Sequence, residues 1–173
     1  MAFSLHAATV PSFMQMLAAQ RALLDKAEAY CTEKHLAPES VIQARLAEDM
    51  LPFAYQVKSS VVHSAGALDG VRKGVFSPDT SPPPAGFPAL KALVEEGLSR
   101  LERTAPAEVD AFVGQDMQFA FGEHRIAFTA EDFLLSFSQP NFYFHATTAY
   151  DILRWQGVPI GKRDFLGQLR LRR

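Results

Sequence analysis

The stretch NFYFHATTAYDIL, residues 141 to 153, places His145 in the middle of an aromatic and β-branched run that reads as helix. An imidazole in such a setting can hold a metal, accept or donate a hydrogen bond in a polar core network, or simply pack. At helical spacing His145 shares a face with Leu134, Phe137, Asn141, Thr148 and Ile152. A hydrogen-bonded buried histidine is an ordinary member of such a face. The second residue of interest is His63. It flanks a stripe of Phe53, Val57, Val61 and Leu68, in the company of Gln56, Ser60 and Ala67. Small and polar neighbours at that position leave room between helices and offer hydrogen bonds, as a lined pocket would. The same residues would also serve a close helix crossing. Gln56, Ser60, His63, Asn141 and His145 are therefore the candidate ligand-binding residues. No phosphate-binding glycine loop, GxSxG elbow or paired-histidine helix motif accompanies them.

The elements that must position these residues are helical. Val10, Phe13, Met14, Leu17, Leu24 and Ala27 recur in steps of three and four, which predicts an amphipathic helix from Leu5 to about Lys34, with Pro11 either kinking it or marking its start. Ala37 and Pro38 break the chain, and Ser40 to Glu48 reads as a short helical lead-in, with Asp49 as a cap. A second long helix starts at Pro52 and fades near Gly70 to Gly74. The stretch SPDTSPPPAGFP, residues 77 to 88, is a crossing loop by its proline and turn content. Leu90, Leu93, Val94, Leu98 and Leu101 predict a third helix ending by Thr104 or Pro106. Between Met117 and Phe128 the apolar period changes to two, with Gly122 and Glu123 at the turn, so a β-hairpin is expected there. Thr129 with Asp132 resembles a capping box opening a fourth helix, which runs to Trp155, bends at Pro140 and stops at Gly157 and Pro159. The fold class expected is all-α: a four-helix bundle with a long crossing loop and a small hairpin before the last helix, in a single domain over residues 1–173.

Composition narrows the function classes. A formal charge of −2 gives no general field to attract nucleic acid, and no stretch approaches the ~20 apolar residues of a membrane span. A cytoplasmic protein is the expectation, without nucleic-acid or membrane partners. Cys31 is the only cysteine, so neither an intrachain disulfide nor a cysteine-rich zinc site can form. The basic tail GKRDFLGQLRLRR is read as a solvated end in which Phe165 and Leu166 pack back on the helices.

LLDKAEAY in the first helix, RLAEDMLPFAYQV entering the second, and PNFYFHATTAYDILRWQGVPIGKRDFLG at the end together resemble a bacterial domain-of-unknown-function family of the DinB-like superfamily. The resemblance spans nearly the whole chain. It implies a DinB-like bundle whose better understood relatives bind a divalent metal through three histidines, one on the second helix and two spaced by four residues on the fourth. His63 matches the first of these positions and His145 the second. The third falls on Ala149, which cannot ligate a metal. His6, Asp132 or Asp151 could substitute for it, while His124 lies on the hairpin and His35 near a helix end. The expected function is a small-molecule-binding or interaction protein with an incomplete triad, working as a homodimer. The alternative is a transferase or hydrolase dependent on zinc, nickel or manganese held by His63, His145 and a substitute third ligand.

Overall fold

The computed structural model describes residues 4–172. Ser4 caps the first helix, α1 (Leu5–Glu33), its Oγ accepting from the Ala7 N–H at 3.3 Å. The helix continues through Pro11 and buries Val10, Phe13, Leu17, Leu24 and Ala27 of the stripe expected from the spacing, while Met14 is only half-buried. The lead-in forms only one turn, α2 (Glu39–Ile42). Asp49 caps nothing: the next helix, α3 (Phe53–Val62), has Pro52 at its N-cap, and no side chain bonds its first turn.

The expected second long helix is broken. After α3 the chain turns at His63 and Ser64 and resumes as α4 (Ala65–Lys73). Gly74, at φ 69°, closes α4 in the left-handed conformation that glycine adopts without strain. A two-residue strand, β1 (Val75–Phe76), follows, and Gly70 makes room for it. A Cβ on Gly70 would lie 2.9 Å from the Phe76 Cβ and 3.1 Å from its ring, inside contact distance.

The loop over 77–86 leads to α5 (Phe87–Glu102), then a turn of helix, α6 (Pro106–Asp110). The hairpin is β2 (Asp116–Phe121) and β3 (His124–Thr129), in the register Phe121↔His124 through Met117↔Phe128. Gly122 has φ 54°, while Glu123 does not enter the positive region, as a type II′ turn requires. The hairpin is not alone, however. β1 adds to β2 in parallel, making a three-stranded sheet of order β1-β2-β3, so the all-α expectation is corrected by one strand beyond the hairpin.

The final helical stretch begins at α7 (Ala130–Asp132), where the Thr129 Oγ1 accepts from the Asp132 N–H at 3.3 Å. It passes through a π-helical segment, Phe133–Ser138, before α8 (Gln139–Trp155). Pro140 falls in the first turn of α8, where a missing N–H costs least, and the widened turn just before it accommodates the proline. Gly157, at φ 86°, ends α8, with the Val158 N–H bonded back to the Leu153 carbonyl at 3.0 Å.

A last turn, α9 (Lys162–Leu166), lies along α1. Lys26 meets Asp164 at 2.5 Å, and the Gln15 amide donates to the Leu166 carbonyl. Phe165 packs edge-on to Tyr150, as the apolar tail residues suggested. α1 packs on α5 and α8, and α3 on α8 and α5, so one apolar core runs between these helices. Among the described residues, no helix is long and apolar enough to cross a membrane.

Candidate functional site

α3 and α8 carry His63 and His145 to each other. The imidazole rings stack with centroids 5.8 Å apart and planes 17° from parallel. Neither lies open on the surface; both are partly buried. Aromatic rings surround the pair: Phe76 and Phe137 lie 5.4 and 5.9 Å from the His63 ring, and Phe144 and Tyr55 lie 5.3 and 6.0 Å from the His145 ring. The sheet backs this wall. Phe119 of β2 and Phe128 of β3 pack on Phe137 and Phe133, so β1, β2 and β3 together close one side of the site.

Hydrogen bonds fix the protonation of each ring. The Gln56 Nε2 donates to the Leu51 carbonyl at 2.8 Å, which can only accept, so the Gln56 Oε1 must face His145. That oxygen lies 2.7 Å from His145 Nδ1 and also only accepts, so Nδ1 carries the proton. His63 follows the same logic through Ser138. The break between α3 and α4 leaves the His63 carbonyl at a helix end without its helical partner, and the Ser138 hydroxyl donates to it at 3.1 Å. With its one proton spent, Ser138 Oγ accepts from His63 Nδ1 at 3.3 Å. In both rings the unprotonated nitrogen is therefore Nε2.

Neither Nε2 has a protein partner, and neither is sealed from solvent. Among the described residues, the one buried side-chain polar atom without a partner is Gln20 Oε1. Burial pushes His63 down to about 4, helped by the neighbouring His145, and burial likewise pushes His145 to about 4. Both rings are neutral at pH 7. The stacked pair thus leaves one lone pair on each ring without a protein partner, within a wall of aromatic side chains.

The other candidates fall differently. Gln56 joins the site as the partner of His145. Ser60, fully buried, turns away into the core, donating to the Gln56 carbonyl at 3.0 Å and accepting from Gln20 of α1 at 3.3 Å. Asn141 lies one turn before His145 on α8, its Nδ2 donating to the Phe137 carbonyl at 2.7 Å. Ser138, which orients His63, gave no sequence signal. It is 75 residues away from His63 in sequence and closes the π-helical segment.

A resident metal of the three-histidine kind does not fit these residues. His63 and His145 have the free Nε2 atoms and the Nδ1 acceptors that metal-bound imidazoles use. The third position is the buried methyl of Ala149. None of the substitutes completes the set, because among the described residues no three His, Cys, Asp or Glu side chains lie together where an ion could be held. Asp132, Asp151, His35 and His124 are exposed, and His6 is held near α6 by its own backbone N–H on Asp110.

A second polar feature borders a cleft that Phe76 also lines. Lys58 of α3, with its side chain only 5 % exposed, reaches the crossing loop. Its ammonium donates to the Ser81 carbonyl at 2.5 Å, the Ser81 Oγ at 2.8 Å and the Asp79 carbonyl at 3.2 Å, and it pairs with the Asp79 carboxylate at 2.9 Å. Burial raises the Asp79 carboxyl, but hydrogen bonds from Ser81 and Lys58 outweigh it and hold the group below the usual carboxylate range. This clasp borders a cleft of about 480 Å³ that also reaches Asp69, Lys73 and Arg100. Asp69 is itself bonded to Arg72 and Arg100.

No curated protein matches the chain. The structure is similar to a crystal structure of a DinB family member protein from Shewanella denitrificans, with 28 % sequence identity, a TM-score of 0.79, and coverage of 98 % of this chain and 95 % of that one. The family described as "Domain of unknown function (DUF1993)" matches residues 5–166. The chain belongs to that family, a domain-of-unknown-function group with a DinB-like structure.

Proposed function

We propose that the paired imidazoles of His63 and His145 are a binding site for a small molecule, set in a DinB-like four-helix bundle whose metal triad is incomplete. One observation carries this reading. Two neutral rings are each fixed with Nδ1 protonated, so that both Nε2 atoms are left without a protein partner, while Ala149 supplies no third ligand. Histidines that only packed would be expected to have their remaining nitrogens sealed or bonded within the protein.

A metal-dependent transferase or hydrolase is the second reading. It draws support from the acceptors on Nδ1, which are the partners that orient imidazole ligands. Elemental analysis of untagged protein purified without chelator, then offered zinc, nickel or manganese, separates the two. The binding-site reading expects sub-stoichiometric metal, with His63→Ala and His145→Ala folding normally. Near-stoichiometric metal that disappears in both variants would overturn it in favour of the metalloenzyme.

A further inference from the structure

The cleft beside the Lys58 clasp carries more positive charge than the nearby carboxylates balance. Its volume of about 480 Å³ is that of a small-molecule site, and Lys58, Lys73 and Arg100 line it together with Asp69 and Asp79. Asp79 is matched by Lys58. Asp69 holds Arg72 at 2.6 Å on one oxygen and Arg100 on the other, and Arg72 is matched in turn by Glu108 at 2.6 Å. Lys73 is left without a counter-charge among the described residues. It stands one turn after Asp69 on the same face of α4, so Lys73 and the Arg100 that Asp69 anchors flank one part of the cleft. Arg100, with its side chain 30 % exposed, bonds Asp69 through Nη2 alone, and its Nε and Nη1 have no partner among the described residues. The clasp has no cationic donor to spare, because four oxygens surround the Lys58 ammonium, and Asp79 Oδ2 is an idle acceptor. An anion therefore finds charged partners in Lys73 and Arg100, with the Ser77 hydroxyl as a neutral donor. Gly66 also lines the cleft. A Cβ there would lie 3.7 Å from its nearest neighbour, an ordinary contact, whereas at Gly70 and Gly97 it would come within 2.9 Å. Packing demands the other two glycines; Gly66 keeps the cleft open.

We propose that this cleft binds a small monocarboxylic acid with an apolar body, its carboxylate at Lys73 and Arg100 and its body against Val62, Phe76 and Leu93. Neither His63 nor His145 lines the cleft, so the proposal is independent of the paired site. A planar carboxylate can take two N–H groups from the guanidinium, and it supplies the one charge that Lys73 lacks. A phosphate dianion would bring a second charge near Asp69 and Asp79 with no cation left to receive it. The apolar body releases water from the walls, which a bare inorganic anion would not do.

The test uses the full chain at pH 7 and low salt, with the amide resonances of Gly66, Gly70 and Lys73 followed by heteronuclear NMR. Three probes share a ring and differ in charge: benzoate carries one negative charge, benzamide none, and phenyl phosphate close to two. Benzoate is expected to shift all three amides and saturate in the millimolar range, benzamide to bind about tenfold more weakly, and phenyl phosphate to bind no more tightly than benzoate. Lys73→Gln is expected to weaken benzoate about threefold to fivefold, and Arg100→Gln about tenfold. Because Arg100 also holds Asp69, Gly66→Leu provides a variant that leaves the ion pairs intact. Leucine suits a helix better than glycine and fills the cleft, so this variant is expected to melt no lower while benzoate no longer shifts Gly70 or Lys73.

Benzamide binding as tightly as benzoate would overturn the proposal, as would benzoate binding that is unchanged in Lys73→Gln and Gly66→Leu. So would three amides left unmoved by benzoate at about 20 mM. Tighter binding of phenyl phosphate would overturn the monocarboxylate in favour of a phosphate monoester. Shifts confined to His63 and His145 would place the acid at the paired imidazoles and count against the cleft.

Discussion

Acidification from pH 7 to about pH 4.5 is expected to remove about 2–3 kcal/mol of stability for each of His63 and His145, before most carboxylates titrate. The cause is that burial holds both rings near 4 in the folded protein, from an ordinary value of 6.5. Above 6.5 the rings are neutral whether the chain is folded or not, so they contribute no pH dependence. Between 6.5 and about 4 the unfolded chain takes up protons that the folded one refuses, and stability falls with pH. Below about 4 the folded rings protonate as well, and the loss levels off. Asp25, Asp79, Glu108 and Asp164 act in a lower window. Their partners hold them below the usual carboxylate range, so the stability they add is present above that range and disappears as pH falls beneath it. A total near 5 kcal/mol is a large share of the ~5–15 kcal/mol that holds a typical domain folded. Urea unfolding at pH 7, 5.5 and 4.5 measures it. The double variant His63→Phe/His145→Phe is expected to lose most of the slope in this window. A native protein whose stability is flat from pH 7 to 4.5 would contradict the buried, neutral pair.

Lys58→Met is expected to lower the melting temperature by about 6–12 °C, through a loss of about 3 kcal/mol. The methionine fills much of the stem's volume, so the packing against α3 and the loop is largely kept. What disappears is the ammonium on which two Ser81 oxygens, the Asp79 carbonyl and the Asp79 carboxylate converge. Removing one partner of a buried pair usually costs about 3–5 kcal/mol. The lower end applies because the Asp79 side chain is 46 % exposed and can recover hydration. Hydrogen exchange at the amides of residues 79 to 81 is expected to quicken together with the fall in melting temperature. Unchanged melting and unchanged exchange would mean that the loop is held by its prolines and its apolar contacts instead.

The parts of the fold legible in the sequence are those whose burial repeats locally. Val10, Phe13, Leu17 and Leu24 report α1 because every turn of it meets the core, and the alternation in β2 and β3 reports one face packed on Phe133 and Phe137. The break between α3 and α4 was hidden because Val61, Ser64 and Leu68 keep helical spacing across it, and all three are buried on either side of the turn. β1 is too short to show a period. It exists because Val75 and Phe76 find Gln118 and Phe119 of β2 more than forty residues later. The π-helical turn also has no local pattern beyond Pro140 following it.

The site divides along the same line. His63, His145 and Gln56 were legible as polar residues at helical spacing within apolar stripes. Ser60 was legible too, but its hydroxyl serves Gln56 and Gln20 in the core. Ser138 was not legible, since its role depends on a carbonyl exposed by a helix break far away in sequence.

What the paired site can bind depends on which nitrogen of each ring carries the proton. Long-range proton–nitrogen correlation NMR on uniformly labelled, metal-free protein at pH 7 reads this directly for His63 and His145. The structure predicts Nδ1 protonated and Nε2 bare in both rings, with His145 losing that preference in Gln56→Leu and His63 losing it in Ser138→Ala. Protons on Nε2, or rings that exchange freely between the two forms in the unaltered protein, would contradict it.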